Sequence, residues 1–157
     1  MKSYKIRDAQ ANNRTKKITI NTAKGKMALP YSKLPIVPST GNRILKVYVD
    51  NELDKRAITY ELEDGHFDSV PLDAFLDFNK DPEYLREIEL HRLTVLANKA
   101  VKSSGMSKRE ICRKMNTSLS QLSRILDPTN YSKTFDQLLK LFAVLGIEVK
   151  IDAPSVA

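Results

Sequence analysis

The feature that most constrains the fold is a change of hydrophobic period near residue 80. Upstream, apolar and polar side chains alternate over short runs such as 16–22, KKITINT, and this alternation is typical of half-buried strands. Downstream, apolar residues from Leu85 to Val101 recur every three or four positions, as on one face of a helix. A chain of 157 residues with both patterns is predicted to be α+β, with residues 1–80 and 81–157 as separate domains.

Residues 1–80 are predicted to form an interaction unit built on one small antiparallel β-sheet. The first dozen residues lack periodicity and predict a flexible basic arm, while the prolines and glycine of 30–41 predict a loop. Stretches rich in β-branched and aromatic residues predict the strands, which we expect at 16–22, 43–49, 57–62 and 66–70.

One long helix, or two joined ones, is predicted to begin the second domain. Asp81 suits its N-cap, Pro82 its first turn and Gly105 the position after its end. Three shorter helices follow, each preceded by a hydroxyl side chain that suits an N-cap, namely Ser107, Ser118 and Thr134. The stretch 146–153, GIEVKIDA, alternates and predicts a terminal β-strand, which needs a partner strand in the N-terminal sheet or in a second chain.

The helices that follow Ser107 and Ser118 are predicted to form a helix-turn-helix, because both are short and a tight turn joins them. The inner, apolar positions of the second helix are predicted at Leu119, Leu122, Ile125 and Leu126. Its outer face carries Ser120, Gln121 and Arg124, whose hydrogen-bonding groups suit base edges in the major groove. We expect these three residues to read DNA bases.

Further contacts to phosphate groups are expected from the helix N-termini and from the polar and basic side chains near them. The predicted phosphate-contacting residues are Ser107, Lys108, Arg109, Ser118, Asn130, Tyr131, Lys133 and Thr134. Residues 92–114 carry seven basic side chains against one acidic side chain, which favours a polyanionic partner.

The motifs of the second domain occur in a characteristic order. G-M-S-x-x-E-I-C-x-x-M precedes T-S-L-S-Q-L-S-R-I-L, and K-T-F-D-Q-L-L-K-L-F-A-V-L-G follows. With these motifs, residues 85–147 resemble the Cro and lambda-repressor type of helix-turn-helix domain, also called XRE-like. The resemblance implies a homodimeric, sequence-specific regulator of transcription that binds a palindromic operator in double-stranded DNA. The sequence departs from the family pattern at Leu119, where the family often has a DNA-contacting Gln, and at Cys112, where Ala is usual.

The added β unit and terminal strand are similar to those of HigA-like antitoxins, which implies an autorepressing antitoxin of a type II toxin–antitoxin pair. Residues 44–91 carry thirteen acidic and five basic side chains, and this charge favours a basic, RNA-cleaving toxin as partner. The residues expected to bind it are Glu61, Glu63, Asp64 and Asp68. Two alternatives stay open, namely a phage-type repressor without a toxin and a protein-interaction adaptor on a helix-turn-helix scaffold that does not bind DNA.

Composition excludes several other classes of protein. Cys112 is the only cysteine, so an intramolecular disulfide is excluded, and it forms no metal-ligand motif with His66 or His91. No segment approaches the roughly 20 apolar residues of a membrane span, and the first ten residues contain no apolar signal-peptide core. The expectation is a cytoplasmic protein with no enzymatic activity, no cofactor, no metal and no membrane partner.

Overall fold

The computed structural model describes residues 4–153 and shows an α+β protein. The chain divides into two compact units, one that ends at Leu85 and one that begins at Arg86. The first unit contains two three-stranded antiparallel sheets, one turn of 3-10 helix at Tyr31–Lys33 and one short α-helix, and the second consists of helices. The single small sheet predicted for the N-terminal part is therefore two sheets.

The first sheet has the order β1–β2–β3, with β1 at Ile6–Asn12, β2 at Lys17–Thr22 and β3 at Gly25–Pro30. The predicted strand at 16–22 is confirmed as β2. The flexible arm predicted for the first dozen residues is wrong from Ile6 onward, because Ala9 and Ala11 of β1 pair with Ile20 and Ile18 of β2. Residues 1–3 of that arm lie outside the described residues.

The second sheet has the order β4–β5–β6, with β4 at Ile44–Val49, β5 at Ala57–Leu62 and β6 at Phe67–Pro71. These strands confirm the three predicted at 43–49, 57–62 and 66–70. Every residue of β5 except Glu61 is buried, because β5 is the central strand of the sheet.

The sequence interpretation missed two elements of this unit, β3 and the helix α1 at Leu72–Phe78. Both carry apolar residues at the expected spacing, Met27 and Leu29 two positions apart in β3, and Leu72, Phe75 and Leu76 on one face of α1. All five of these side chains are buried in the core that α1 shares with both sheets.

Tyr60 lies at the centre of this core and is fully buried. Its hydroxyl group donates to the carbonyl of Ile36 at 3.0 Å and accepts from the amide of Ile36 at 2.9 Å. One phenol thus satisfies both backbone groups of one residue, which costs far less than leaving them unpaired inside the protein. This exchange holds the proline-containing segment 35–38, part of the predicted loop, against β5.

The second unit is built from four helices, of which the first begins in the last four residues of the N-terminal unit. The elements are α2 at Pro82–Ser103, α3 at Lys108–Met115, α4 at Leu119–Leu126 and α5 at Phe135–Val144. The side chains of Ser107, Ser118 and Thr134 each accept a backbone N–H three residues onward, so all three predicted N-caps are confirmed. The inner faces meet in a core around Leu90, Ile111 and Leu138.

The predicted terminal strand is absent from the chain as described. Residues 147–153 form neither helix nor strand, and no strand of either sheet pairs with them. Val149 instead packs on the helical core as a partly buried side chain. Pairing of this segment with a second chain stays a prediction.

Asp81 joins the start of α2 to the first sheet. Its Oδ1 accepts from the backbone N–H of Tyr84 at 2.9 Å and from Nζ of Lys24 at 2.6 Å, and Nζ also lies 3.3 Å from Glu83. Burial alone would raise the pKa of Asp81, but the hydrogen bonds from Lys24 and from backbone amides outweigh it and lower the pKa. The charged form of Asp81 therefore stabilises the fold.

We predict that D81N lowers the free energy of unfolding by about 1–2 kcal/mol at pH 7, because Asn keeps the N-cap but loses the charge that Lys24 pairs with. A carboxyl whose folded pKa is depressed stabilises fully above its unfolded pKa, so the difference from the wild type should begin to shrink below about pH 4 and disappear as the pH falls through the lower pKa of the folded state. Urea unfolding at several pH values measures this. The matched control is D136N, at the exposed pair with Lys140, which should change the free energy of unfolding at pH 7 by less than about 0.5 kcal/mol.

Candidate nucleic-acid interface

The outer face of α4 brings the three predicted base-reading residues together. Ser120 and Arg124 are exposed, and Gln121 is half-buried beside them. Leu122, Ile125 and Leu126 are buried on the opposite face, as predicted. The polar side thus presents a hydroxyl, a carboxamide and a guanidinium within two turns of helix, and these groups suit hydrogen bonds to base edges.

Leu119 departs from the prediction that it lies inward. Its side chain is 47% exposed, because it occupies the first turn of α4, before the helix reaches the core. It extends the outer face with an apolar group next to Ser120. In the major groove, such a group suits contact with a thymine methyl.

A three-residue turn, Asn116–Ser118, leads from α3 into α4. Asn116 adopts the left-handed conformation with φ of 54°, which Asn tolerates better than most residues, and the next amide donates to the carbonyl of Cys112 at 2.9 Å. The Ser118 hydroxyl accepts from the backbone N–H of Gln121 at 3.1 Å and lies 3.1 Å from the Ser120 hydroxyl. The turn therefore fixes where the polar face of α4 begins.

The N-termini of α3 and α5 place further predicted phosphate contacts on the surface. Ser107, Lys108, Arg109 and Thr134 are all exposed. The oxygens of Ser107 and Thr134 accept backbone N–H groups, which leaves each hydroxyl proton able to donate outward. Thr134 also forms a full capping box with Gln137.

Two residues of the loop after α4 that were predicted to contact phosphate form hydrogen bonds within the protein instead. Asn130 donates from Nδ2 to the carbonyl of Arg124 at 3.0 Å and accepts the amide of Ser132 at 3.1 Å. Tyr131 is half-buried, and its carbonyl accepts from Arg86 at 3.2 Å. These bonds keep the loop folded back on the C-terminal end of α4.

Lys133 does not lie on the surface, as its predicted contact with phosphate requires. Its side chain is only 4% exposed, and Nζ donates to the carbonyls of Ile125 at 2.9 Å and of Asp127 at 2.6 Å. Burial lowers the pKa of Lys133, and the nearby carboxylate of Asp127 opposes that shift. The ammonium group thus caps the carbonyl end of α4, where a cation is favoured by the helix dipole.

Residues of α2 that were not singled out from the sequence complete this support. Arg86 donates to the carbonyls of Tyr131 and Lys133, and Asn98 donates from Nδ2 to the carbonyl of Leu126 at 2.8 Å. No local pattern marks either residue, because their partners lie 28 to 47 positions further along the chain.

An open groove of about 630 Å³ runs along this surface. It is lined by Gln121, Arg124 and Ile125 of α4, by Asp127, Asn130, Ser132 and Lys133 of the loop, and by Gln137 of α5. Gln121 and Arg124 therefore share one concave surface with the loop and the start of α5. Gln137 was not among the predicted residues, although the T-x-x-Q capping pattern in the sequence marks its position at this helix start.

The four acidic residues predicted to bind a partner are not brought together. Glu61 pairs with Phe67 and Tyr60 with Asp68 across β5 and β6, so Glu61 and Asp68 lie on opposite faces of the sheet. Arg43 donates to Glu63 and lowers its pKa, and Asp64 accepts from the backbone of His66 in the turn. Among residues 4–153, no group of three His, Cys, Asp or Glu side chains is placed to hold a metal ion.

Comparisons with models of known protein families, with curated proteins and with solved structures found no match for this chain. The helices of residues 4–153 include none with the length and apolar character needed to cross a membrane. The proposed function therefore rests on the fold and on the geometry of the α4 face.

We predict that Lys133→Met lowers the free energy of unfolding of the helical unit by about 2–3 kcal/mol. Met fills a similar volume but leaves two carbonyls of the α4 terminus without a donor. Urea unfolding followed by far-UV circular dichroism measures the loss. Lys140→Met, at an exposed site on α5, is the control and should change stability by less than about 0.5 kcal/mol. Equal losses in both variants would contradict the assigned role.

Proposed function

We propose that the chain is a sequence-specific regulator of transcription that binds double-stranded DNA through the outer face of α4. The observation that carries the proposal is the arrangement of Ser120, Gln121 and Arg124 on one polar helix face, behind a short turn from α3. Two short helices in this arrangement are typical of a helix-turn-helix, whose second helix enters the major groove.

The surroundings of α4 support the same proposal. Residues 107–137 contain six basic and three acidic side chains, and the positive balance favours a phosphate backbone. Exposed groups of Ser107, Lys108 and Arg109 flank the start of α3, in positions that suit contacts to phosphates on either side of the groove. We propose a homodimer in the cytoplasm, which reads a palindromic operator with recognition helices about 34 Å apart.

We predict that Gln121→Ala combined with Arg124→Ala removes the preference for the operator, because each lost bidentate base contact costs roughly 1–3 kcal/mol. The operator is obtained first, by incubating the protein with sheared genomic DNA of the encoding organism and sequencing the retained fragments. Fluorescence anisotropy then compares the operator with a scrambled duplex at one fixed salt concentration.

The control variant for this test is Arg92→Ala, which removes the same charge from α2, where Arg92 pairs with Glu89 at 2.8 Å. It should keep the ratio of operator to scrambled affinity. An unchanged ratio in the double variant would show that α4 does not read bases. Retention of no DNA at all would instead favour a protein-interaction adaptor on the same scaffold.

Within this class, we propose the particular role of an autorepressing antitoxin of a type II toxin–antitoxin pair. The supporting observation is the outer face of the second sheet, where Lys46, Glu61 and Phe67 form one cross-strand row and Tyr48 lies two residues from Lys46 on the same face of β4. Phe67 is 67% exposed and Leu45, at the bulge of β4, is 71% exposed. Exposed aromatic and aliphatic groups beside acidic ones suit a basic protein partner with an apolar contact surface.

We predict that the reading frame adjacent to this gene encodes a protein that inhibits growth alone and is neutralised by coexpression of the chain. Phe67→Lys combined with Glu61→Lys should abolish both neutralisation and copurification, because both substitutions oppose a basic partner. The double variant should retain operator binding, which separates loss of the partner from loss of the fold. Neutralisation by the double variant would contradict the proposed surface, and a harmless neighbour would favour a repressor without a toxin.

A further inference from the structure

The outer face of the first sheet is polar and carries lysines, whereas the outer face of the second sheet exposes aromatic side chains. The register pairs Gln10 with Thr19 and Thr19 with Ala28 in one cross-strand row. The adjacent rows are Asp8 with Asn21 and Lys26, and Asn12 with Lys17 and Pro30. Amides, a hydroxyl and two lysines therefore dominate this face, with Ala28, Pro30 and one carboxylate, Asp8, which accepts from Nδ2 of Asn21 at 3.3 Å. None of the exposed large apolar side chains of residues 4–153 belongs to it.

Seven of the eight basic side chains of residues 4–33 are exposed, Lys24 is half-buried, and most carry an uncompensated charge. Within residues 4–33, eight basic side chains stand against a single acidic one, Asp8. Lys5 pairs with Asp54 and Lys24 with Asp81. Six others form no ion pair with any described residue, and these are Arg7, Arg14, Lys16, Lys17, Lys26 and Lys33.

Their positions are set by the fold. Lys17 and Lys26 project from the outer face, separated by four residues along the strand direction, or roughly 14 Å. Arg14 and Lys16 lie in the turn between β1 and β2, and Asn12 Oδ1 accepts the backbone amides of that turn at 3.0 Å. The turn is thus held as a basic tip at one end of the sheet.

We propose that this face of the first sheet is a second nucleic-acid site, which binds the phosphate backbone of double-stranded DNA. The inference rests on the proposed function, since it adds a contact to the same ligand. Lys17 and Lys26, at their separation, reach different phosphates. Thr19, in the row between them, and Asn12, beside Lys17, offer further hydrogen-bond donors, whereas Nδ2 of Asn21 donates to Asp8.

The chemistry of the face favours nucleic acid over an acidic protein. Protein interfaces depend on buried aromatic and aliphatic anchors, and this face has none. Protein–DNA interfaces are more polar and more strongly positive, and their phosphate contacts come from lysine, asparagine and threonine side chains such as those present here. The contact carries no sequence preference, so it strengthens binding beside the operator as well as to random DNA.

The test uses the full chain with Lys17→Glu and Lys26→Glu, compared with the wild type and with Lys46→Glu combined with Lys55→Glu. The control makes the same change of net charge at two exposed positions, Lys46 on β4 and Lys55 in the turn between β4 and β5. Binding to a random 30-base-pair duplex is measured from 50 to 300 mM salt. We expect the first-sheet variant to bind at least about tenfold more weakly at 100 mM and to lose about 2 from the slope of log affinity against log salt, since each phosphate contact contributes about 0.9. The control should keep the wild-type slope.

Each of the other outcomes decides whether this second site, the α4 proposal or both are wrong. Equal slopes in the two variants overturn the second site while leaving the α4 proposal in place. A lost slope in the first-sheet variant with no operator preference in the wild type supports this site and overturns sequence-specific regulation. Absence of duplex binding by the wild type overturns both, and tighter binding to polyglutamate than to the duplex reassigns the face to an acidic protein. Equal melting temperatures for all variants exclude unfolding as the cause.

Discussion

The position of α4 depends on a buried ammonium group. Lys133 holds the last carbonyls of the helix, and Ser118 holds its first amides, so polar side chains define both ends. An eight-residue helix has too few internal hydrogen bonds to be stable alone, and its geometry comes from such caps and from the apolar side that packs on the core. The proposed contacts of the outer face of α4 depend on the position of the helix, which these caps and the apolar side determine.

The loop after α4 shows how the protein divides its polar side chains between support and surface. Asn130, Lys133 and Arg86 direct their hydrogen bonds to backbone carbonyls at the helix end. Ser120 and Arg124 form no such bond and remain on the surface. The role of a positively charged residue near the proposed binding face therefore cannot be inferred from its charge alone. Lys133 shows this, because its ammonium group binds carbonyls inside the protein.

What was predictable from the sequence was local. The caps at Ser107, Ser118 and Thr134 involve groups three residues apart. The strand β5 is predictable because it contains a run of β-branched and aromatic residues. The strand β1 has only Ala9 and Ala11 as its inward alternating pair, and it forms because β2 lies beside it. The burial of Lys133 and the contacts of Asn98 likewise depend on residues distant along the chain, for which no local pattern exists.

The two sheets of the N-terminal unit carry opposite charge. The first has one acidic side chain among residues 4–33, whereas residues 44–71 have seven acidic side chains against three basic ones. Opposite charges on the surfaces of two sheets that share one core of buried side chains produce an electric dipole moment. In the field of a polyanion such a dipole experiences a torque, which turns the first sheet toward the polyanion before any atoms touch. The orientation at encounter is thus biased by the fold, and this bias fades as added salt shortens the range of the field.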